Sequence, residues 1–255
     1  MTDLPLRAPG PTPDAATTAI VAHAGVRVRL TDLLRGADEA RMAATVVPAC
    51  PDWSVTDTLA HTVGVCIDIA EGTLGTDVGT AAWADDHVTR FTGLGVAGLL
   101  ERWAEVGPVI DSLAGMMSKR VASQFCFDAT THEHDIRGAL GQPGGQDSDG
   151  VEVGIRFMEM GLDHGVRNAG LAPVLFVSDV DRVVIGAPDG PGALEASAVD
   201  DLPTLRAPRF ELLRAIGGRR SAAQVRAMAW TTDPEPYLAL LTMGPLRPPE
   251  HALAI

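Results

Sequence analysis

The sequence lacks several features that would assign it to a common class of protein. Lysine occurs once, at Lys119, so arginine supplies nearly all of the positive charge. The net charge of -13 at pH 7 argues against nucleic acid as a partner, because phosphate binding needs a basic surface. No apolar run approaches the about 20 residues that span a bilayer, and the N-terminal segment has no apolar core of a signal peptide. We therefore expect a cytoplasmic protein with no membrane partner.

Cysteine is also scarce. The three cysteines form an odd number with no CxxC pair, which predicts a reducing compartment rather than a disulfide framework. Cys66 and Cys126 stand among apolar residues of predicted helices, so we expect both to be buried as small hydrophobic side chains. The near absence of lysine, with abundant Ala and Gly, indicates a GC-rich genome such as that of an actinobacterium.

The hydrophobic pattern predicts a helical first part and a mixed second part. We expect one long helix over 14–44, a second helix from Ser54 with a capping box to Asp57, and further helices over 79–92, 95–116, 123–140 and 151–169. After Gly170 the pattern predicts short strands over 173–178, 182–186, 193–198 and 202–207, then helices over 209–216, from 221, and over 235–241. The predicted divisions are a flexible N-terminal arm over 1–14, a helical domain over 15–170 and a C-terminal α+β domain over 171–255.

A carboxylate and an imidazole are spaced for one helix face in the fourth principal helix. Asp128 and His132 are four residues apart, which places them one turn apart on the same side. They are two candidate ligands of a divalent metal, and His61 on an earlier helix is a candidate third ligand. Three protein ligands with an open fourth position are typical of a catalytic zinc site. The alternative is an ordinary hydrogen-bonded pair between a carboxylate and a histidine on one helix.

The neighbours of this pair have less certain assignments. Asp135 is a candidate ligand, a candidate support for the ring N–H of a ligand histidine, or a partner of Arg137. We expect His134 to be a solvated neighbour. The remaining histidines have no ligand-like partners in the sequence and are expected to be structural or exposed: His23, His87, His164 and His251.

A second cluster, over 209–221, is rich in arginine. Arginine binds carboxylates with two parallel hydrogen bonds, so this cluster is a candidate anion site. The alternative is a set of surface charges that pair with the surplus of Asp and Glu.

Three segments, in this order, resemble a known family. Residues 50–61 (CPDWSVTDTLAH) and 128–143 (DATTHEHDIRGALGQP) look like the two ligand motifs of the DinB-like helical-bundle superfamily. Residues 209–224 (RFELLRAIGGRRSAAQ) are similar to the C-terminal domain of the mycothiol-dependent maleylpyruvate isomerase family. The resemblance implies a four-helix bundle over 15–170, followed by a small sterol-carrier-like α+β domain.

The resemblance also implies a site and a chemistry. His61, Asp128 and His132 would bind zinc or a similar divalent ion, although many relatives carry Glu in place of Asp128. Arg219 and Arg220 would be the catalytic arginines that bind the substrate. A low-molecular-weight thiol, mycothiol or a similar one, would bind the metal as a thiolate and attack an electrophilic carbon.

The sequence leaves the reaction open. The same first step would serve isomerisation of an unsaturated acid such as maleylpyruvate, or S-transfer to an electrophilic metabolite, with the thiol as cofactor or as co-substrate. Two other functions are a non-catalytic protein that binds a small molecule and a metal-dependent hydrolase that uses metal-bound water. The oligomeric state is open too.

Overall fold

A computed structural model describes residues 4–187, 196–241 and 247–253 of the chain. The chain divides into two compact units. One consists mainly of Pro13–Val153, and the other of Met1–Thr12 with Gly154–Leu253. This division falls at residue 153 and groups the first twelve residues with the C-terminal part, while the domains over 15–170 and 171–255 stay a prediction. None of the described helices combines the length and the apolar character needed to cross a bilayer.

The unit Pro13–Val153 is helical. Its helices are α1 (Ala15–Leu34), α2 (Glu39–Ala44), α3 (Val55–Glu71), α4 (Ala81–Arg90), α5 (Val96–Ser112), α6 (Lys119–Leu140) and the start of α7 (Asp149–Asn168). Helix α1 packs against α5 and α6, and α3 packs against α4, α5 and α6. A single apolar core lies between them and includes Ile20, Leu30, Leu59, Leu99 and Trp103.

Local signals set the limits of the two helices that matter most for the site. Ser54 and Asp57 form the expected capping box at the start of α3: the Asp57 N–H donates to Ser54 Oγ and the Ser54 N–H donates to Asp57 Oδ2. Helix α6 begins after Ser118, whose hydroxyl accepts from the Val121 N–H, and ends at Gly141, which has a left-handed backbone (φ 64°). Both helices are thus fixed in register before any tertiary contact is considered.

One prediction for the first part of this unit is wrong, and one feature was not predicted. The expected helix over 14–44 is interrupted after Leu34, because Gly36 adopts φ 71° and Asp38 caps a new helix by accepting from the Arg41 N–H. The sequence pattern predicts no regular element between the helix over 14–44 and the helix from Ser54. This segment forms an antiparallel pair of strands, β2 (Val46–Val47) and β3 (Cys50–Ser54), and β3 leads directly into α3.

The other unit contains a small sheet. Besides most of α7, its described elements are β1 (Leu6–Arg7), β4 (Val174–Val177), β5 (Arg182–Ile185), α8 (Ala196–Asp200), β6 (Thr204–Arg206), α9 (Arg209–Ile216), α10 (Ala222–Arg226), β7 (Ala229–Trp230) and α11 (Glu235–Leu238). The five described strands of this sheet lie in the order β1-β5-β4-β6-β7. The pairs β1/β5 and β4/β6 are parallel, and the pairs β4/β5 and β6/β7 are antiparallel. The chain is therefore a mixed fold, mainly helical, with a five-stranded sheet and a two-stranded sheet among the described residues, as the sequence predicts in outline.

Two segments of this unit differ from expectation. Part of the strand expected over 193–198 lies outside the described residues, and its end belongs to α8. Residues 6 and 7, expected to lie in a flexible arm, pair with β5 instead. Arg7 also holds this segment through its side chain, because its guanidinium donates to both carboxylate oxygens of buried Glu159 (2.6 and 2.8 Å) and to Asp181.

Candidate metal centre

Helices α3 and α6 bring the three candidate ligands together. His61 Nε2 lies 3.7 Å from Asp128 Oδ2, and His132 Nε2 lies 3.7 Å from Asp128 Oδ1. One donor atom from each residue lies within 4.8 Å of the other two. Asp128 therefore stands between two imidazoles that both present Nε2 to its carboxylate.

This donor set fits a divalent ion such as zinc. Tetrahedral ligands about 2.05 Å from zinc are about 3.3 Å apart, close to the separations between Asp128 and the two rings. A direct hydrogen bond from either ring to the carboxylate would be shorter, at about 2.8 Å. Two imidazole nitrogens and one carboxylate oxygen are also the ligand types that zinc accepts in catalytic sites.

The site is asymmetric in exposure. The His61 and His132 side chains are buried, whereas the Asp128 side chain is about one-third exposed (32%). Burial lowers the pKa of His61, and this effect exceeds the opposing influence of Asp128. The ring of His61 is therefore neutral at pH 7, the state that a metal ligand needs.

His132 has a different environment. Burial would lower its pKa, but contacts with Asp135 and Cys50 and the charge of Asp128 raise it to about 10. Its Nδ1 lies 3.3 Å from Asp135 Oδ2, and Cys50 Sγ is 4.0 Å from the same oxygen. Asp135 thus lies behind His132, in the position that supports the ring N–H of a ligand histidine, one of the three roles predicted for it. Cys50, His132 and Asp135 form a second group that could hold a metal, and this group shares His132 with the first.

The other neighbours of His132 pack into the unit. Arg137 donates to Glu133 (3.0 Å), which also accepts from Arg29, so Arg137 pairs with Glu133 instead of Asp135. The expectation of a solvated His134 is wrong, because only 1% of this residue is exposed. Helix α6 lies at the centre of the unit, with buried residues on all sides from Phe125 to Ile136 apart from Asp128.

A chain of polar side chains lies behind His61. His61 Nδ1 is 3.1 Å from His87 Nδ1, and His87 Nε2 is 2.8 Å from Asp68 Oδ2. Arg90 donates to Asp68 Oδ1 at 2.7 Å. His87 is fully buried, which decides between the two roles expected for it, structural or exposed, in favour of the first.

Two indoles flank the histidines. The Trp53 ring centroid lies 5.1 Å from that of His61 and 6.1 Å from that of His132. Trp83 meets His61 edge-on at 5.6 Å and His87 at 4.6 Å. Both indoles therefore place apolar surface beside the imidazole rings.

The two arginines predicted to be catalytic lie in the sheet-containing unit, directly after α9. Both are buried, and Arg220 donates to both carboxylate oxygens of Glu211 (2.7 and 2.8 Å). Beside this pair is a cavity of about 380 Å³, lined in part by Gln224 and Met228. A substrate carboxylate would have to replace Glu211 to bind the Arg220 guanidinium edge-on. That either Arg219 or Arg220 binds substrate stays a prediction.

Comparisons with known proteins give the fold a counterpart. No protein-family model and no curated protein sequence matches the chain. Two solved structures do: a crystal structure of the mycothiol-dependent maleylpyruvate isomerase, with 13% sequence identity, and one of a histidine-to-alanine mutant of that enzyme, with 12%. Each comparison covers 85% of this chain and 91% of the other, with a TM-score of 0.54. The chain therefore has the fold of that isomerase, as the sequence motifs led us to expect.

Sequence reasoning missed the polar chain behind His61. No local motif marks His87, because the bonds that His87 and Arg90 of α4 each make to Asp68 of α3 follow from how the two helices pack. One signal was available in Gly64, three residues after His61. A Cβ built there would lie 2.5 Å from the His87 ring, so a helical glycine marks where that ring lies against α3.

Proposed function

We propose that this chain is a metal-dependent enzyme that activates a low-molecular-weight thiol, mycothiol or a similar one, at His61, Asp128 and His132. The observation that carries the proposal is the convergence of three donor atoms within 4.8 Å of one another. The fold shared with a mycothiol-dependent isomerase supports the choice of a thiol over water as the activated group. A divalent ion, such as zinc, would lower the pKa of a coordinated thiol and so supply a thiolate nucleophile at neutral pH.

The residues of the chain would act as follows. His61 and His132 would each offer Nε2, and Asp128 would offer one carboxylate oxygen. Asp128 is the partly exposed member, so the remaining position would open on its side of the centre. Asp135 would hold the His132 ring from behind through Nδ1.

The substrate would be a small electrophilic metabolite, for which an unsaturated acid such as maleylpyruvate is our first candidate. Arg219 and Arg220 would bind its carboxylate. Isomerisation returns the thiol unchanged, whereas S-transfer leaves it bonded to the product. The two reactions therefore differ in whether thiol is consumed.

Metal analysis tests the centre. Purified protein, loaded with zinc and then desalted, is expected to retain one equivalent of metal. His61→Ala and His132→Ala are expected to lose it, and His164→Ala, a change at an exposed histidine of α7, is the matched control. Equal metal content in wild type and both ligand variants would overturn the assignment.

Product analysis tests the reaction. Maleylpyruvate is incubated with the metal-loaded protein, with and without mycothiol, and product and free thiol are both measured. Thiol-dependent turnover with constant free thiol indicates isomerisation, and loss of thiol together with an adduct indicates S-transfer. Equal turnover without thiol would contradict the proposal and indicate a hydrolase. Metal and thiol binding without turnover of any electrophile tested would indicate a binding protein.

A further inference from the structure

We propose that His87 is a positioning residue that fixes the tautomer of His61, so that the Nε2 lone pair of His61 faces the metal centre. The inference deepens the proposed function, since it assigns a role to residues behind one of its ligands. It rests on a chain of four polar side chains: His61, His87, Asp68 and Arg90.

The positions of the protons follow from Arg90, at the far end of this series of hydrogen-bonded side chains. Arg90 can only donate, and its Nη1 lies 2.7 Å from Asp68 Oδ1. The pKa of Asp68 is lowered, because hydrogen bonds from Arg90 and His87 outweigh its desolvation, so it is an ionised carboxylate that can only accept. The His87 Nε2, 2.8 Å from Asp68 Oδ2, must therefore carry a proton.

The next step concerns His61. When the His87 ring carries a single proton and that proton is at Nε2, its Nδ1 has a lone pair. The two Nδ1 atoms of His87 and His61 are 3.1 Å apart, and a hydrogen bond between them needs one donor. In that arrangement His61 donates from Nδ1, and an imidazole with one proton, the form that binds a metal, leaves Nε2 unprotonated. That Nε2 is the atom that faces Asp128.

The packing of α4 on α3 is suited to this arrangement. The His87 ring lies so close to α3 that a Cβ at position 64 would meet its Cδ2, Cγ and Cβ at 2.5 to 2.8 Å, closer than real Cβ contacts. Glycine at this position therefore permits the ring to bridge His61 and Asp68, which lie two turns apart on α3. Metal-bound histidines generally donate their second ring N–H to such a partner.

An isosteric variant, Asp68→Asn, tests the proton order. Since Arg90 can only donate, the amide oxygen of the new side chain must face Arg90 and its NH2 must face His87. This reverses the direction of the hydrogen bonds: His87 Nε2 accepts, His87 Nδ1 donates, and the His61 proton moves to Nε2. The double variant Asp68→Asn/Arg90→Met frees the amide to turn its oxygen to His87, which restores the original order.

Two measurements read out the result. Long-range ¹H–¹⁵N spectra of the metal-free protein report which nitrogen of His61 is protonated; we expect Nδ1–H in wild type and the double variant, and Nε2–H in Asp68→Asn. Competition with a chelator reports zinc affinity; we expect Asp68→Asn to weaken it by about 10- to 100-fold, with recovery in the double variant. Arg90→Met alone is the control and is expected to stay within about threefold of wild type, since the carboxylate of Asp68 still accepts from His87.

The outcomes separate this inference from the proposed function. An Nε2–H tautomer of His61 in the wild-type protein, or an unchanged tautomer and affinity in Asp68→Asn, would overturn the role of His87. Wild-type protein that binds no zinc but shows the expected tautomers supports the inference and overturns the proposed function alone.

Discussion

His23 predicts a measurable dependence of stability on pH. Its side chain is fully buried in the helical unit, stacked on Phe125 at 4.0 Å, with Nε2 3.5 Å from Cys66 Sγ. Among the described residues, none forms a hydrogen bond with its Nδ1. Burial first, and then the charge of Arg27, lower the pKa of His23 to about 3.

The sign and size follow from linkage. An unfolded histidine titrates near pH 6.5, so between about pH 6.5 and pH 3 the unfolded chain holds a proton at His23 that the folded chain does not. Folding stability must therefore fall as pH falls through this window, by up to about 1.4 kcal/mol per pH unit. Between pH 7 and pH 5 the contribution of His23 is a loss of about 2 kcal/mol.

The test uses His23→Phe, which keeps an aromatic ring against Phe125 but cannot titrate. Urea unfolding at pH 7 and pH 5, with EDTA present so that metal binding does not contribute, gives the difference in unfolding free energy for each protein. A larger ring adds a cost of overpacking, but that cost is independent of pH and cancels in the difference. We expect the loss between the two pH values to be about 2 kcal/mol smaller in His23→Phe than in wild type or the exposed control His164→Ala. An equal loss in all three proteins would show that His23 is not held neutral by the fold.

Three further predictions concern packing and reactivity. Arg7→Met leaves Glu159 buried without its bidentate partner and should lower the free energy of unfolding by about 3 kcal/mol in urea titrations, with little recovery on adding salt. Gly64→Ala should lower the thermal midpoint of unfolding and weaken zinc binding, because the His87 ring must move. Gly165→Ala in α7 is the control: its added Cβ meets nothing closer than 3.7 Å, so the midpoint should not fall. Iodoacetamide should modify Cys50 in the native protein. Burial raises the pKa of the Cys66 and Cys126 thiols to about 12, so both should stay unmodified until urea is added. Mass spectrometry of digests would reveal any early modification of the two buried thiols.

The parts of the fold that local chemistry determines were predictable. The capping box of Ser54 and Asp57 and the left-handed Gly141 are sequence signals that act within one turn of the helix they limit. The break at Gly36 was missed because apolar residues continue at helical spacing on both sides of it. A glycine within such a pattern does not by itself reveal a positive φ.

Strand β1 shows what local signals cannot reveal. Residues 6 and 7 lie among prolines and glycines, which resemble a disordered arm. Their pairing with β5 depends on Arg7 meeting Glu159, which is 152 residues away in the sequence. Such a partner follows only from the tertiary arrangement.

The residues of the candidate centre likewise fall into those that the sequence identifies and those that only the packing of helices reveals. Asp128 and His132 could be paired from their spacing on one helix, and His61 could be added through a motif, so their convergence needed only that α3 and α6 pack together. His87 stands on α4, beyond a loop, and its bond to His61 depends on the approach that Gly64 permits. The candidate ligands could therefore be proposed from helical spacing and a motif, whereas the contacts of His87 with its neighbours depend on interhelical distances. This difference gives Asp68→Asn its value, because it changes no candidate ligand and still tests whether the surrounding fold prepares His61 to bind.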